Sequence, residues 1–126
     1  MPLDAELQLR LASFDKLPLE CDGMTRVMSF VLREVGVAHV AKVGRLLLDA
    51  VSVAPVHYWI ELEDGVLIDY RARLWAAALE HVPHGIFRLE NFPRIAYVGE
   101  VVDLPVPRFV FEVLTRGMSA ETPSAP

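Results

Sequence analysis

The spacing of apolar residues predicts a short helix near the start of the chain. Residues 4–14 (DAELQLRLASF) place Leu7, Leu11 and Phe14 three and four positions apart, as on one face of an amphipathic helix. Pro18 then interrupts this helix, because a proline biases the preceding residue away from helical geometry.

The same spacing returns over a longer run and predicts a second, stronger helix. Between Cys21 and Gly36 the apolar residues are Met24, Val27, Met28, Val31, Leu32 and Val35. On a helix these six residues form one continuous apolar face, which we expect to be buried. Asp22 is its expected N-cap, and Gly36 is its expected stop.

Beyond residue 37 the pattern changes to a period of two, which is typical of strands. Residues 37–53 predict either one long or bulged strand or two short ones, and Pro55 separates them from the next element. HYWIELEDGVLID, residues 57–69, predicts two strands joined by a tight bend. The remaining predictions are a short helix over 70–82, a loop over 84–93 and strands over 94–104 and 108–114.

This order, with helices first and a mostly antiparallel sheet after them, predicts an α+β fold. Residues 1–116 are expected to form one domain, since 126 residues suffice for one core and no repeat or linker divides them. Residues 117–126 (GMSAETPSAP) are small and polar, and they predict a disordered tail.

Composition narrows the classes of function. Hydrophobic residues make up 53% of the chain, yet no apolar run approaches the length of about eighteen that a membrane span needs. The net charge is −5 without any Lys/Arg run, so nucleic-acid binding is not expected. The N-terminus lacks the layout of a signal peptide, which favours a cytoplasmic protein. The apolar excess favours a homo-oligomer or a protein partner.

Cys21 is the only cysteine, which excludes internal disulfides and multi-cysteine metal sites. It comes just before the first turn of the stronger predicted helix. Unpaired backbone N–H groups and the positive end of the helix dipole stabilise a thiolate there. The alternative is a structural cysteine that begins the apolar face, three residues before Met24.

The bend at residues 63–65 decides whether His57 can meet Asp69. A two-residue turn would direct Asp69 to the face of the sheet away from His57. A three-residue loop with Gly65 in the left-handed region would pair Trp59 with Asp69, and His57 would then lie diagonal to the carboxylate and within its reach. Both turns are common, and only the second permits catalysis by this pair.

With the three-residue loop, Cys21, His57 and Asp69 form a candidate catalytic set. His57 would take the proton of Cys21 or pair with its thiolate, and would then protonate a leaving group. Asp69 would hold the other ring nitrogen and fix the tautomer. Taken singly, a strand histidine and a strand-end aspartate are usually structural, but the combination favours nucleophilic catalysis.

Further side chains are candidates for substrate binding. Arg71 and Arg73 offer two guanidinium groups that would bind a carboxylate, although solvated charges are the commoner explanation. Trp59 is a candidate cleft wall or, equally, a core residue. His81 and His84 are too poorly supported by other ligands to predict a metal. No cofactor is expected, because no phosphate-binding loop or nucleophile-elbow motif occurs.

From about Cys21 to Tyr70 the chain resembles the transglutaminase-like branch of the papain-like cysteine protease and acyltransferase superfamily. The resemblance rests on a cysteine that heads a helix ending Leu-Arg-Glu-Val-Gly, on His57-Tyr-Trp-Ile-Glu, and on an aspartate twelve residues after the histidine. It implies a papain-like fold in which Cys21 is the nucleophile, His57 the general base and acid, and Asp69 the residue that orients His57.

The resemblance implies acyl-group chemistry on a peptide or amide-containing substrate and leaves the acceptor open. Arylamine acetyltransferases and the leader-peptide proteases of lasso-peptide pathways have similar layouts. Papain-like enzymes often place a glutamine before the cysteine as an oxyanion donor; Asp15 stands six residues before Cys21, and Gln8 is the only upstream glutamine. The first hypothesis is a hydrolase acting through a Cys21 thioester. The alternatives are an acyltransferase, a non-catalytic binding module and a cell-wall amidase.

Overall fold

The computed structural model of the protein describes residues 3–74 and 81–116. In these ranges it contains helices α1 (Ala5–Ser13), α2 (Cys21–Glu34) and α3 (Arg108–Leu114) and strands β1 (His39–Leu48), β2 (Val51–Leu62), β3 (Val66–Asp69), β4 (Gly85–Arg88) and β5 (Ile95–Val102). The five strands form one antiparallel sheet in the order β4-β3-β2-β1-β5. The predicted α+β class is therefore confirmed. No helix in the described ranges is long and apolar enough to cross a membrane.

Both N-terminal helices form where the apolar spacing predicted them. The side chain of Asp4 caps α1 by accepting the N–H of Leu7 at 2.8 Å. Asp22, however, is not the N-cap of α2. Glu20 holds that position, and Asp22 lies in the first turn of the helix. Gly36 ends α2 as predicted, with a φ of +78° that suits a residue without a Cβ.

The packing of α2 on the sheet forms the main core. The inward face of α2 meets side chains from the same face of β2 and β3, and the buried members are Met24, Val27, Met28, Val31, Leu32, Ile60, Leu62, Val66 and Ile68. Burial of each such side chain stabilises the fold by about 1.5–3 kcal/mol before entropy losses. This packing fixes the start of α2 beside the end of β3, which is where the candidate site lies.

Residues 37–62 form a hairpin of two long strands. The chain reverses at Asp49 and Ala50, which both adopt positive φ values. The separation predicted at Pro55 is wrong, since Pro55 lies inside β2. The proline is accommodated there because the β1–β2 register shifts between Gly44 and Leu46, and a proline without an N–H is tolerated at such an irregularity.

Two predicted segments have a different structure. Residues 84–93 were expected to be a loop, but β4 forms within them and pairs with β3 over four residues. Residues 108–114 were expected to be a strand but form α3, because Phe111 and Leu114, three residues apart, pack against the core. Of the helix predicted over 70–82, the structure shows a 3-10 turn at Ala72–Leu74, and residues 75–80 are outside the described ranges. The tail at 117–126 is also outside them.

The sheet is strongly curved, as a contact between side chains of its two edge strands shows. Phe87 on β4 and Tyr97 on β5 have ring centroids 6.1 Å apart, although a flat sheet would separate these strands by about 19 Å. The concave side holds Trp59, whose ring lies 5.0 Å from that of Tyr97. Gly99 makes room for this indole: a Cβ there would lie 2.8 Å from the edge of the Trp59 ring.

Candidate active site

The bend between β2 and β3 has the register that the catalytic interpretation requires. Ile60 pairs with Ile68 and Glu61 with Leu67, which leaves three residues, 63–65, in the loop. Gly65 has a φ of +81°, the left-handed geometry expected of the third loop residue. Of the two alternatives left open by the sequence, the structure has the three-residue loop, which turns the side chain of Asp69 to the same face as His57.

His57 and Asp69 form a buried hydrogen-bonded pair. Nε2 of the imidazole lies 2.7 Å from Oδ2 of the carboxylate, and the two side chains are 0% and 1% exposed. Two other donors hold the carboxylate. The backbone N–H of Arg71 donates to Oδ1 at 2.9 Å, and the hydroxyl of Tyr97 donates to Oδ2 at 2.8 Å. Both oxygens of Asp69 are therefore fixed in position, and so is the imidazole ring that they face.

Cys21 is the first residue of α2 and reaches this pair past the end of β3. Because β3 ends at Asp69, the first turn of α2 can pack against the last residues of the strand. Cys21, Met24, Ile68 and Asp69 are among the residues around a cavity of only about 10 Å³ at this junction. That volume is about one water probe, so the junction is closely packed. Cys21 itself is half-buried, which leaves part of the residue open to solvent.

The electrostatics of His57 show that Cys21 and Asp69 act on it together. Burial lowers the pKa of His57, but hydrogen bonds to Asp69 and Cys21, together with the charges of both groups, outweigh burial and raise the pKa from 6.5 to about 9. A histidine in this environment carries its proton through the neutral range. A protonated imidazole beside sulfur stabilises the thiolate, which is the nucleophilic form of cysteine.

An aromatic wall surrounds the His57–Asp69 pair on the concave side of the sheet. The indole of Trp59 stacks near the imidazole with ring centroids 6.3 Å apart, and its N–H donates to Glu61 at 3.0 Å. Trp59 is only 1% exposed, so the structure places this predicted substrate contact in the core. Apolar walls of this kind exclude water and strengthen the interaction between the charged groups.

The other candidate substrate residues make their hydrogen bonds within the protein. Arg71 borders the same small cavity as Cys21, but its guanidinium is buried and bonds the chain segment before the cysteine. Arg73 is exposed and donates to the carbonyl of Val82 at 3.1 Å. The amide of Gln8 donates to the carbonyl of Leu3 at 2.9 Å, within its own helix region. None of the described contacts brings Gln8 or Arg73 to the triad.

Tyr97 is the site residue that the sequence did not predict. It lies on β5, three strands away from Asp69 in the sheet order, so only the curvature of the sheet brings its hydroxyl to the carboxylate. Burial, reinforced by the charge of Asp69, raises the pKa of Tyr97, so the phenol stays a hydrogen-bond donor at all ordinary pH values. The alternation of Ile95–Val102 predicted the strand but carried no signal for this contact.

The arrangement is suited to nucleophilic catalysis by sulfur. It combines a nucleophile at a helix start, a base with a raised pKa beside it, and a carboxylate that orients the base. Within the described residues, no group of three or more His, Cys, Asp or Glu side chains is placed to hold a metal ion. No protein-family model, curated protein or solved structure matches the chain.

Proposed function

We propose that the protein is a cysteine-dependent hydrolase of amide or peptide bonds, built on a papain-like fold of the transglutaminase-like branch. The observation that carries the proposal is the buried hydrogen bond between His57 and Asp69, with Cys21 at the head of α2 beside the carboxylate and among the groups that raise the pKa of His57. The strongly curved antiparallel sheet with a helix packed on one face is compatible with this fold.

In the first half of the reaction, the Cys21 thiolate attacks the carbonyl carbon of the substrate. A C–S bond forms, and the electron pair of the C=O bond moves onto oxygen. The backbone N–H of Cys21, in the first turn of α2, would stabilise this oxyanion. When the intermediate collapses, the C–N bond breaks, and the imidazolium of His57 gives its proton to the leaving nitrogen. The product is a thioester on Cys21.

In the second half, His57 is neutral and acts as a general base. It takes a proton from a water molecule, whose oxygen attacks the thioester carbon. The C–S bond then breaks and its electron pair returns to sulfur, so the carboxylic acid leaves, Cys21 is again a thiolate, and His57 keeps the proton that it took from water. Throughout the cycle Asp69 holds the ring through Nε2, so the other nitrogen remains directed to the reaction.

Acyl transfer is the second candidate, because the same thioester can be attacked by an amine instead of water. We place hydrolysis first, since no site for a second substrate is evident among the described residues. A non-catalytic module that binds a protein partner is the third candidate. In that case the thiol of Cys21 would have no chemical use.

Alkylation of Cys21 by iodoacetamide tests the proposal. At pH 6 only about 0.3% of an ordinary thiol that titrates near pH 8.5 is thiolate, so a free cysteine barely reacts. We expect the wild-type protein to react readily at pH 6 and His57→Ala to react much more slowly. His81→Ala is the matched control and should retain the wild-type rate.

Labelling that appears only at the pH of an ordinary thiol, and that is the same with and without His57, would reject catalysis in favour of the binding module. If Cys21 is reactive, a peptide substrate followed by mass spectrometry separates the two reactions. Release of a free acid that persists when a primary amine is added indicates hydrolysis, whereas formation of the amide with that amine indicates acyl transfer.

A further inference from the structure

The guanidinium of Arg71 is buried, and all five of its N–H donors are used. Nε donates to the carbonyl of Leu19 at 2.6 Å; Nη1 donates to Oδ1 of Asp15 at 2.6 Å and to the carbonyl of Tyr70 at 2.8 Å; Nη2 donates to the carbonyls of Asp15 at 2.9 Å and Leu17 at 2.8 Å. An arginine carries five such donors, so no hydrogen-bonding capacity is left for a ligand.

Four of these five acceptors belong to residues 15–19, the segment that leads directly into Cys21. Apart from the 3-10 turn at Phe14–Lys16, this segment has no regular structure, and it contains Pro18. In a helix or a sheet, backbone N–H groups would bond these carbonyl groups. In this segment the guanidinium of Arg71 bonds them instead. The position of these carbonyls determines where the chain enters α2.

The backbone of Arg71 acts on the other half of the site. Its N–H donates to Oδ1 of Asp69, the carboxylate that orients His57. Arg71 thus bonds both the segment that leads into Cys21 and the carboxylate that holds the imidazole of His57. These two parts of the chain are about fifty residues apart in sequence, and nothing local fixes their separation.

We infer that Arg71 is a positioning residue that sets the sulfur of Cys21 against His57; this role rests on the proposed function. The planar fork of arginine is required, because a lysine has three donors on one atom and cannot reach acceptors spread over residues 15–19. The charge of Asp15, which bonds both Arg71 and His84, balances the buried guanidinium.

The test compares Arg71→Lys with wild type by the pH profile of Cys21 alkylation. Rates are measured at pH 6 and pH 9, well below the melting temperature, on protein whose near-ultraviolet circular dichroism shows native packing. We expect the ratio of the two rates to fall at least about tenfold, toward the value of about 0.004 for an ordinary thiol that titrates near pH 8.5. Arg88→Lys is the matched control, since Arg88 also bonds a carbonyl and a carboxylate, both of Asp64.

A purely structural role would lower the melting temperature of Arg71→Lys but leave the ratio of rates unchanged, and that result would overturn the inference. If Arg71→Lys does not fold, Asp15→Asn, which removes the carboxylate partner of Arg71, is measured instead. We expect the ratio of the rates at pH 6 and pH 9 to fall, though less than in Arg71→Lys. An unchanged ratio would overturn the positioning role of Arg71. A wild-type thiol with an ordinary pH profile would instead refute the proposed function, and with it this role. The two failures are therefore distinguishable.

Discussion

Replacement of Asp69 by asparagine isolates the charge that holds the proton on His57. Asparagine keeps the shape of the side chain and an oxygen that can accept the N–H of Arg71. It removes the negative charge 2.7 Å from Nε2 and presents an N–H₂ group that cannot accept a hydrogen bond from the imidazole. Burial then acts against the protonated ring with only Cys21 to oppose it. We expect the pKa of His57 to fall well below 9.

The size of the change follows from the raised pKa. A pKa of about 9 against the ordinary 6.5 corresponds to about 3 kcal/mol in favour of the imidazolium. At pH 7.5 about 97% of His57 is protonated with the higher value and about 9% with the ordinary one. Asp69→Asn should therefore lower the imidazolium fraction by up to about tenfold at this pH, and the thiolate that it stabilises should decline with it.

The assay is a nuclear magnetic resonance titration of the His57 ring nitrogens from pH 5 to pH 10, combined with the rate of Cys21 alkylation at pH 7.5. Asp103→Asn, the same change at an exposed position, should leave both unchanged. If His57 still titrates near pH 9 in Asp69→Asn, then Asp69 is not the source of its raised pKa, and the assignment of Asp69 as the orienting carboxylate fails.

Two further predictions concern stability. Tyr97→Phe removes only the hydroxyl that donates to Asp69. Loss of a hydrogen bond to a charged group should lower the free energy of unfolding, measured by urea denaturation, by about 1.5–3 kcal/mol. A free energy equal to that of wild type would mean that the bond contributes nothing. His39 donates to the carbonyl of Val37 and accepts from the Ser29 hydroxyl, and burial lowers its pKa below 6.5. The contribution of neutral His39 to stability is therefore complete above pH 6.5 and is lost as the pH falls below that value. The difference in unfolding free energy between wild type and His39→Gln should therefore shrink as the pH is lowered from 7.5 to 5. A difference that stays constant would contradict this.

Local patterns were sufficient for the helices and for the hairpin that carries His57 and Asp69. The apolar pattern of α1 and α2 is long enough to exclude a strand. For the bend at 63–65 two turns remained open, and a glycine at the third loop position suits the bulged one. Because the side-chain period of a strand is two, that single choice determined which face the carboxylate would share. The placement of Asp69 on the same face as His57 was therefore predictable as one of two discrete alternatives.

The prediction of a strand over residues 108–114 was wrong because the segment is too short for its apolar pattern to be decisive. Residues 108–114 are rich in Val and Phe, as strands are, but they form a helix that leaves Phe109 and Val113 exposed. Seven residues cannot distinguish periods of two and 3.6, and the choice was made by the contact of Phe111 with Phe30, whose ring centroids are 4.2 Å apart. Tertiary contact of this kind has no signature in the local sequence.

Arg71 shows the same limit at the site itself. Two arginines close to a predicted carboxylate indicated a substrate contact, because sequence alone gives charge and proximity along the chain but not the acceptors that fold back from elsewhere. The acceptors for Arg71 come from residues 15–19, more than fifty positions away. Only their arrangement distinguishes a guanidinium that binds a ligand from one whose donors are all used within the protein.

Curvature of the sheet links these observations to the chemistry. Gly44 and Gly99 pair with each other on β1 and β5, and Gly44 also pairs with His57 on β2, so two of the three residues in this row across the sheet lack side chains. That gap lets β5 bend over the concave face until Tyr97 reaches Asp69. The four side chains of the candidate site, Cys21, His57, Asp69 and Tyr97, thus come from α2, β2, β3 and β5. The orientation of His57 is consequently a property of the whole curved sheet, and a hairpin of residues 51–69 alone would hold the imidazole and its carboxylate on one face without fixing either.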